Sequence, residues 1–421
     1  MLDRPIKVLW FTNTPSLASE FLNVPSIGGG WIYSLEEKIK EDQNINLAIA
    51  FKHGQEKLNK FTKKNCTYYA IPNCHSKIKR LAQRHFAILD DDELIDYCLK
   101  IIHDFKPDII NIFGTEEGFG LIVDKINLPV VIHLQGILTV YKLKWFAAKI
   151  NKFDLISSSG FKSLLTANTL FHFYNYFKKT AYREQQIFKR CKYFMGRTDW
   201  DRRITSVLSP QSKYFTCNEV LRKPFRENIW SKKPGSKKVL ISTIQSNVYK
   251  GLETILETAV ILKEANQFNF NWIVAGISPQ DVIVKIFERK TGLRFNDYDV
   301  TLAGKVGVED LVKLELNADI FIHPSHIDNS PNSLCEAMLL GMPIVATCAG
   351  GSGSMLMDGK EGILIQDGDP YSLAGATLEL IKDPVKAAEF GKNARARAIV
   401  RHDLDVIVRN VVGIYSEILG G

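Results

Sequence analysis

The chain has 421 residues, of which 45% are hydrophobic and 24% charged, and its formal net charge is +8 at pH 7. This length exceeds what one hydrophobic core usually supports, so two domains of roughly 200 residues each are expected. The composition is typical of a soluble globular protein, no apolar run reaches the ~18 residues that span a bilayer, and the first residues do not resemble a signal peptide. Seven scattered cysteines without a C-x-x-C pair favour reduced thiols in a cytoplasm over disulfides or a zinc site.

The positive charge is concentrated in residues 141–197. This segment holds twelve lysines and arginines and two acids, a net charge of +10, so the rest of the chain sums to about −2. It also holds fourteen aromatic residues, and cations interleaved with rings suit an anionic membrane surface. A pair of core helices with solvated lysines is the alternative. Nucleic acid is not expected as a partner, because no recognition motif accompanies the charge.

The predicted elements alternate between strand and helix along nearly the whole chain. From the N-terminus, the β-rich runs "IKVLWF", "INLAIAF", "DIINIF" and "VVIHL" are separated by helix-like segments such as "WIYSLEEKIKE" and "DDELIDYCLKIIHDF". From Lys238 the alternation restarts with "KVLIST", "NWIVAG", "DVTLAG", "DIFIHP", "PIVAT" and "GILI". Apolar strands separated by helices indicate parallel sheets that are covered on both faces.

A stretch rich in Pro and Lys, "LRKPFRENIWSKKPGSKK", separates the two series and is typical of an interdomain linker. The sequence therefore predicts two doubly wound α/β domains in tandem. The last helix has apolar residues at helical spacing and could pack on either domain, including by crossing back to the first. The predicted parts are a first domain over 1–220, a linker over 221–237, a second domain over 238–400 and the C-terminal helix over 401–421.

Ligands of open parallel sheets bind at the carboxyl ends of the strands, so the loops after strands are the candidate sites. Gly28, Gly29 and Gly30 open a helix after the first strand, and glycines there let the backbone approach a phosphate. The pattern is not G-x-G-x-x-G, and a glycine-rich turn without a ligand is the alternative. His133 ends the strand "VVIH"; a lone histidine is more often structural, but its position at a carboxyl end makes it a candidate.

The second half places Lys250 and Gly251 at the start of the helix in "VYKGLETILETA". A lysine at that position adds a full charge to the partial positive charge of the helix end, which suits a diphosphate. A surface lysine is the alternative interpretation.

The strongest motif is "DIFIHPSHIDNSPNSLCEAMLLGMPIVAT". A buried strand ends at His323, a polar loop carries Asp328, and a helix begins near Ser333 with Glu336 in its first turn. One acid and the amides at the helix start could hold sugar hydroxyls and a phosphate, with the second acid left for a ribose. An N-capped helix with an incidental acid is the alternative.

This motif resembles the signature of family four retaining glycosyltransferases, in which two acids stand eight residues apart, here Asp328 and Glu336. The run "EAMLLGMPIVAT" is similar to the family's EAMA-G-PVVAT, and the glycine turn, His133, the Lys-Gly pair and "HPS" follow in the family's order. The resemblance is strong over 319–350 and weak over 1–230. It implies the GT-B fold, two Rossmann-like domains with a cleft between them, and transfer of a sugar from a nucleotide diphosphate donor with retention, without a cofactor and usually without a metal.

The resemblance also implies roles for single residues. Glu336 would bind the donor ribose, Asp328 would face the transferred sugar, and Lys250 would pair with the diphosphate. His133 would sit beside the sugar on the acceptor side, in the first domain. The other implied donor-binding residues are Gly29 and Gly30 over the diphosphate, Asn329 and Ser330 at the sugar, the amides of Asn332, Ser333 and Leu334 at the diphosphate, and Lys305 and Val306 near the base.

Three positions depart from the family pattern. Asp328 replaces the usual Glu, which shortens the side chain by one methylene beside the sugar. The loop reads "NSPNS" where "GFG" is common. Gln245 and Ile244 stand where an arginine usually precedes the Lys-Gly pair, so Arg197 or another basic residue would have to supply that charge.

The sequence thus predicts a hexosyltransferase-type glycosyltransferase that binds a nucleotide-sugar donor and a glycan acceptor. The basic aromatic segment favours a lipid-linked acceptor in cell-surface polysaccharide synthesis, with the protein in the cytoplasm and peripheral on the inner face of the cytoplasmic membrane. One alternative is a sugar-nucleotide epimerase on the same scaffold. The other is a non-catalytic membrane-attached subunit, in which Asp328 and the missing arginine would be marks of decay.

Overall fold

The computed structural model describes residues 4–22, 30–54, 56–73, 76–157, 160–231 and 235–420. The chain divides into two compact units, each built on its own sheet. Unit 1 comprises residues 1–142, 162–220 and 403–421, and unit 2 comprises residues 143–161 and 221–402. The predicted fold class, α/β with two parallel-sheet Rossmann-like domains, is confirmed.

The sheet of unit 1 has eight strands: β1 (Ile6–Thr12), β2 (Ile45–His53), β3 (Asn59–Lys63), β4 (Cys66–Pro72), β5 (Ile109–Phe113), β6 (Val130–His133), β7 (Tyr193–Gly196) and β8 (Lys213–Thr216). Their order is β3-β4-β2-β1-β5-β6-β7-β8. All neighbours are parallel except β3 and β4. The chain changes direction across the sheet between β1 and β5, which is therefore the topological switch point of this unit.

The sheet of unit 2 has six strands: β9 (Lys237–Thr243), β10 (Asn269–Ala275), β11 (Val300–Gly304), β12 (Ile320–His323), β13 (Ile344–Thr347) and β14 (Ile363–Ile365). Their order is β11-β10-β9-β12-β13-β14, and all neighbours are parallel. Every residue of β12 and β13 is buried, as expected for central parallel strands with both faces covered. The switch point of this unit lies between β9 and β12.

The helices of the described residues are α1 (Trp31–Ile39), α2 (Lys77–Phe86), α3 (Asp91–Phe105), α4 (Leu138–Tyr141), α5 (Lys152–Ser157), α6 (Phe161–Leu165), α7 (Leu170–Arg190), α8 (Asp199–Leu208), α9 (Lys223–Glu227), α10 (Leu252–Ala265), α11 (Val282–Thr291), α12 (Val308–Leu316), α13 (Asn332–Leu340), α14 (Ser352–Met355), α15 (Pro370–Lys382), α16 (Pro384–Arg401) and α17 (Leu404–Ile418). Short 3-10 turns cover Ser16–Glu20, Gly118–Lys125, Lys142–Lys144 and Phe295–Tyr298. In the part of the chain that is described, no helix combines the length and the apolar character required to cross a membrane.

The core of unit 1 lies on both faces of its sheet. Successive side chains of a strand point to opposite faces, and β1 shows this directly. Val8 and Trp10 belong to one buried cluster, whereas Leu9 and Phe11 belong to another. A strand buried on both sides needs an unbroken apolar sequence, which is why the run "IKVLWF" predicts it.

The C-terminal helix α17 packs in unit 1. Its Tyr415 is fully buried, and the hydroxyl oxygen accepts hydrogen bonds from Trp10 Nε1 at 3.0 Å and from Asn111 Nδ2 at 2.9 Å. Both donors come from strands of the sheet, so a polar contact and the apolar cluster around Val411 hold the helix on this unit. The sequence alone left the domain of this helix open.

The stretch interpreted as a linker is partly built into unit 2. Leu221 and Phe225 are buried in the core of this unit, and Trp230 Nε1 donates a hydrogen bond to the carbonyl oxygen of Ala318 at 2.8 Å. Residues 221–230 therefore extend the second domain beyond the predicted boundary at Lys238.

Residues 143–161 also group with unit 2, although the sequence placed them in the first domain. Trp145 is buried, with its ring centroid 6.2 Å from that of Tyr249, and Lys149 forms an ion pair with Glu257. A buried Trp145 cannot lie at lipid headgroups. The membrane contact expected for residues 141–197 stays a prediction, and the buried Trp145 is not one of its contact residues.

Candidate functional site

Two loops of unit 2 meet at its switch point. One follows β9 and enters α10 through Lys250 and Gly251, and the other follows β12 and enters α13 through Asp328. Because β9 and β12 are paired neighbours, the carboxyl ends of the two strands lie side by side. This is the edge at which open α/β sheets bind ligands.

The two loops are in backbone contact. Gly251 has a φ of +74°, and a Cβ atom at this position would lie 2.1 Å from the carbonyl oxygen of Pro324. The N–H of His326 donates a hydrogen bond to the carbonyl oxygen of Tyr249 at 2.9 Å. Only glycine permits both the positive φ and this close approach, so Gly251 fixes the start of α10 against the loop after β12.

This contact brings Lys250 to Asp328. The Nζ and Oδ2 atoms are 2.5 Å apart, and each side chain is 13% exposed. Burial opposes ionisation of Asp328, but the Lys250 ammonium outweighs it and lowers the pKa of the carboxyl group. His323 Nε2 lies 3.8 Å from the same oxygen, and burial lowers the pKa of its imidazole to about 4. At neutral pH the site therefore holds one ion pair beside a neutral histidine.

The backbone of Asp328 is held from the other side by the loop after β13. The N–H of Gly351 donates a hydrogen bond to the Asp328 carbonyl oxygen at 2.8 Å. Gly350 has a φ of +61°, and a Cβ atom there would lie 1.9 Å from the same oxygen. Asn329 and Ser330, the predicted sugar-side residues, are buried in this loop.

Helix α13 begins at Asn332, one residue before the predicted start, and presents its N-terminus next to Asp328. The N-cap residue is Pro331, so no side-chain cap covers the first turn. The N–H groups of Asn332, Ser333 and Leu334 have no acceptor within the helix. Uncapped N–H groups and the helix dipole favour an anion at this end.

Glu336 is held by a residue that the sequence did not indicate. Arg222 Nε and Nη2 each donate a hydrogen bond to one carboxylate oxygen of Glu336 at 2.6 Å, and the Glu336 side chain is only 3% exposed. Burial opposes the charged form of Arg222, but the contact with Glu336 outweighs this effect and raises the pKa of the guanidinium, which stays charged. Arg222 lies in the stretch interpreted as a linker, 114 residues from its partner, and no local pattern marks it.

A second carboxyl group lies in the electrostatic environment of this pair. Glu315 of α12 is buried, and its Oε1 accepts a hydrogen bond from Thr243 Oγ1 at 3.1 Å. Burial, with a further contribution from the Glu336 charge, raises the pKa of Glu315 to about 8. The protonated form of Glu315 is therefore favoured at neutral pH, and the carboxyl group of Glu336 faces Arg222.

A row of charged side chains extends from the same loop, from the buried His326 and Glu253 to the partly exposed Asp367 and Lys144. His326 Nε2 contacts Glu253 in the first turn of α10, and its Nδ1 lies 3.3 Å from Asp367 Oδ2. Lys144 Nζ lies 2.9 Å from the same Asp367 oxygen. Burial opposes the charged form of His326, but Glu253 and Asp367 outweigh it, so the pKa of the imidazole is raised. The row links the Asp328 loop, α10 and residues 143–161.

The predicted residues of unit 1 are enclosed. His133 is fully buried at the end of β6, stacked on Phe113 and in edge contact with Trp31, and burial lowers the pKa of its imidazole. Arg197 follows β7; its guanidinium lies 4.0 Å from the Trp31 ring centroid and 3.7 Å from Glu219 Oε2. Arg197 therefore already has a buried acidic partner.

The remaining predicted residues lie at the ends of other elements. Gly30 is the N-cap residue of α1, whereas Gly29 falls outside the described residues. Lys305 is exposed and Val306 is partly buried in the turn after the edge strand β11. The structure thus brings Lys250, Asp328 and the start of α13 together.

The fold of the whole chain matches solved structures. The sucrose-phosphate synthase of Thermosynechococcus elongatus has a TM-score of 0.72 at 14% identity, covering 99% of both chains. HepE from Anabaena, solved in complex with UDP-glucose, has a TM-score of 0.63 at 15% identity, covering 98% of this chain and all of the other. Together with the two parallel-sheet units, these matches define the protein as one of the GT-B fold.

Sequence comparison matches part of the chain to a known family. Residues 225–397 match the family described as Glycosyl transferases group 1. An uncharacterized glycosyltransferase of Methanocaldococcus jannaschii is 28% identical over 35% of this chain and 37% of the relative. The putative colanic acid biosynthesis glycosyltransferase WcaL of Salmonella typhimurium is 26% identical over 46% of this chain and 49% of the relative. The poly(ribitol-phosphate) alpha-N-acetylglucosaminyltransferase of Staphylococcus aureus is 27% identical over 40% of this chain and 33% of the relative. Residues 225–397 are therefore similar to the glycosyl transferases group 1 family, and the chain spans between a third and a half of the length of these curated relatives.

Removing His326 should destabilise the protein in a pH-dependent way. A histidine pKa that is raised on folding stabilises the fold below the ordinary value of about 6.5, and this stabilisation is lost as the pH rises through the raised value. His326→Gln should therefore lose unfolding free energy relative to wild type, as measured by urea denaturation. This loss should be ~1 kcal/mol larger at pH 6 than at pH 9. His103→Gln, at an exposed position of α3, is the matched control. If the loss of unfolding free energy in His326→Gln were the same at both pH values, the assigned contacts of His326 with Glu253 and Asp367 would be contradicted.

Arg222 and Glu336 should be strongly coupled. Arg222→Met leaves a buried carboxylate without its partner, which costs ~3 kcal/mol of unfolding free energy. The double variant Arg222→Met/Glu336→Gln should lose less than the sum of the two single variants, with a coupling energy of at least ~1 kcal/mol in urea denaturation. Lys213→Met and Glu417→Gln remove an exposed ion pair and should couple by less than ~0.5 kcal/mol. Additive effects at Arg222 and Glu336 would exclude the assigned pairing.

Proposed function

We propose that the protein is a retaining glycosyltransferase that moves a sugar from a nucleotide diphosphate donor to a glycan acceptor. The observation that carries the proposal is the Lys250–Asp328 ion pair beside the uncapped start of α13. A cation and a helix N-terminus suit a diphosphate, and a carboxylate suits sugar hydroxyls. The family match of residues 225–397 supports the same activity.

The residues that the proposal assigns to the donor follow strands of unit 2. In the proposal, Glu336 binds the ribose, Lys250 and the N–H groups at the start of α13 bind the diphosphate, and Asp328 binds the transferred sugar together with Asn329 and Ser330. Lys305 and Val306, after β11, are assigned to the base. HepE has been solved with UDP-glucose, which makes UDP-sugars the first donors to test.

The transfer step follows from the charges that develop. The bond between the anomeric carbon and the donor phosphate oxygen breaks, the anomeric carbon bonds to the acceptor oxygen on the same face, and the acceptor proton passes to the departing phosphate. Negative charge grows on that phosphate, and Lys250 together with the α13 helix end would stabilise it. Preorganised electrostatic stabilisation of this kind is usually the largest single contribution to catalysis.

Unit 1 is assigned to the acceptor. In the proposal, Gly30, the N-cap residue of α1, is assigned to the diphosphate and His133, the last residue of β6, to the sugar. Gly29, which lies outside the described residues, keeps its assignment to the diphosphate. Because the rings of Trp31 and Phe113 enclose His133, the neutral imidazole would act by shaping the surrounding wall rather than by moving a proton. Arg197, paired with Glu219, would support that wall in the same way.

The acceptor is proposed to be a lipid-linked glycan of a cell-surface polymer. Two relatives are named for colanic acid and for poly(ribitol-phosphate), which supports a polymer acceptor. Helix α2 supports contact with an anionic membrane: none of its residues is buried, and Ile78 and Phe86 are 82% and 69% exposed. Exposed apolar side chains on a basic helix are typical of membrane-surface binding. Lys77 and Lys79 supply positive charge at the start of α2.

Donor binding tests the proposal directly. A nucleotide sugar at 100 times its dissociation constant adds ~2.7 kcal/mol of stability, so a thermal-shift screen should identify the donor. Glu336→Ala should then bind that donor at least ~10-fold more weakly in calorimetry, because a ribose contact worth ~1.4 kcal/mol is lost. Glu257→Ala, a site on α10 away from Asp328, is the control and should bind normally. Unchanged affinity in Glu336→Ala would contradict the ribose assignment, and a product formed from the donor without any acceptor would instead indicate an epimerase.

Lys250 should contribute mainly to turnover. Lys250→Ala removes a cation from the leaving diphosphate, and kcat should fall by ~10²-fold or more. Lys263→Ala removes an exposed lysine from the same helix and should leave kcat unchanged. A Lys250→Ala enzyme within a few-fold of wild type would exclude the leaving-group role.

A further inference from the structure

Unit 1 contains a cavity of about 540 Å³ that is separate from its switch point. The cavity opens at the carboxyl ends of β2 and β4, between α2, the first half of α3 and the start of α7. Its volume lies within the range of roughly 300–1,000 Å³ that is typical of small-molecule sites. Its place at the carboxyl edge of a parallel sheet is also where α/β proteins bind ligands.

The cavity wall contains two guanidinium groups, those of Arg80 and Arg84, that could bind an anionic ligand. The three acids in its wall already have basic partners: Glu117 pairs with Lys52 at 2.5 Å, Glu93 pairs with Lys79 at 2.8 Å, and Asp90 lies 3.8 Å from the same lysine. Arg80 and Arg84 stand one turn apart on α2, and among the described residues neither forms an ion pair. Paired guanidinium groups bind the oxygens of phosphate, sulfate or carboxylate groups through two hydrogen bonds each.

The rest of the wall suits sugar rings. The aromatic side chains of Tyr97, Phe173 and Tyr176 line the cavity, and Tyr176 is partly enclosed, so that burial raises the pKa of its hydroxyl. Amide and hydroxyl groups of Gln83, Asn168 and other residues can donate and accept hydrogen bonds as sugar hydroxyls require. Aromatic rings together with a few converging polar groups are typical of a ligand pocket.

We infer that this cavity is a subsite for an anionic oligosaccharide, in which Arg80 and Arg84 bind the acidic group and the rings of Tyr97 and Phe173 contact the sugars. The inference rests on the proposed glycosyltransferase function, since it assigns the subsite to a part of the acceptor away from the reacting hydroxyl. The polar face of α2 carries the two arginines, whereas Ile78 and Phe86 are exposed on the rest of the helix. One helix would thus serve the glycan and the lipid surface with different faces.

Calorimetry with a sulfated pentasaccharide as the probe tests the inference on the full chain. Wild type should bind the pentasaccharide more tightly than neutral maltopentaose. Arg80→Gln/Arg84→Gln should bind the pentasaccharide at least ~10-fold more weakly. Phe173→Ala keeps the charge, so it should bind the pentasaccharide several-fold more weakly and bind inorganic phosphate as wild type does.

The matched control removes the same charge from another face of unit 1. Lys178→Gln/Lys189→Gln changes two exposed lysines of α7 that do not line this cavity, and its pentasaccharide affinity should stay within about twofold of wild type. An equal loss in the control and in the arginine variant would show attraction to net charge alone and would overturn the inference.

Three other outcomes would also overturn the inference. The first is undiminished binding in Arg80→Gln/Arg84→Gln. The second is inorganic phosphate binding as tightly as the pentasaccharide, which indicates a free anion site. The third is binding to phosphatidylglycerol vesicles in a flotation assay, if this binding requires both arginines and is not reduced by the pentasaccharide. That result would indicate a lipid headgroup as the occupant.

Donor affinity, measured on the same samples, separates this inference from the proposed function. Normal nucleotide-sugar binding with no pentasaccharide binding would remove the subsite alone. No binding of any nucleotide sugar would count against the transferase, whatever the pentasaccharide does. The arginine variant should bind the donor as wild type does, because neither arginine belongs to unit 2.

Discussion

The candidate site depends on one backbone contact, that of Gly251 with Pro324. Since a Cβ atom at residue 251 would lie 2.1 Å from the Pro324 carbonyl oxygen, the start of α10 can lie this close to the loop after β12 only with glycine there. The Lys250–Asp328 pair follows from this contact, because neighbouring strands bring the two loops to one edge and the contact fixes their separation. The arrangement is therefore set by the sheet topology and by one residue without a side chain.

The basic side chains of the candidate site are each paired with an acidic side chain. Lys250 is paired with Asp328, Arg222 with Glu336, and the row from Glu253 through His326 and Asp367 to Lys144 alternates in sign. Buried charges are tolerated only when they are paired, and these contacts supply the partners. A donor would have to exchange partners with them: its diphosphate would compete with Asp328 for Lys250, and its ribose with Arg222 for Glu336. The net affinity would be the difference between these contacts.

The sequence predicts the strands and the acids of the site but not the pairs between distant segments. Apolar runs such as "DIFIH" have to be central strands, and a carboxylate after such a strand has to lie at the sheet edge, so the region of Asp328 and Glu336 follows from local pattern. Arg222 stands in a polar stretch of the kind that linkers also show, and its role comes only from a partner 114 residues away. The same holds for Trp145, whose burial against unit 2 reverses the expectation of a membrane-facing ring.

The balance of charges also bears on the missing arginine before the Lys-Gly pair. The paired groups of unit 2 are equal in number, with four basic side chains, Lys250, Arg222, His326 and Lys144, against four acidic ones, Asp328, Glu336, Glu253 and Asp367. Glu315 adds little charge at neutral pH, because burial raises its pKa to about 8. A diphosphate would bring negative charge that no unpaired side chain of this group offsets. The N-terminus of α13, whose first turn has no side-chain cap, is then the main source of the remaining attraction, through its N–H groups and its dipole. An anion held mainly by backbone groups needs no arginine at residue 244 or 245.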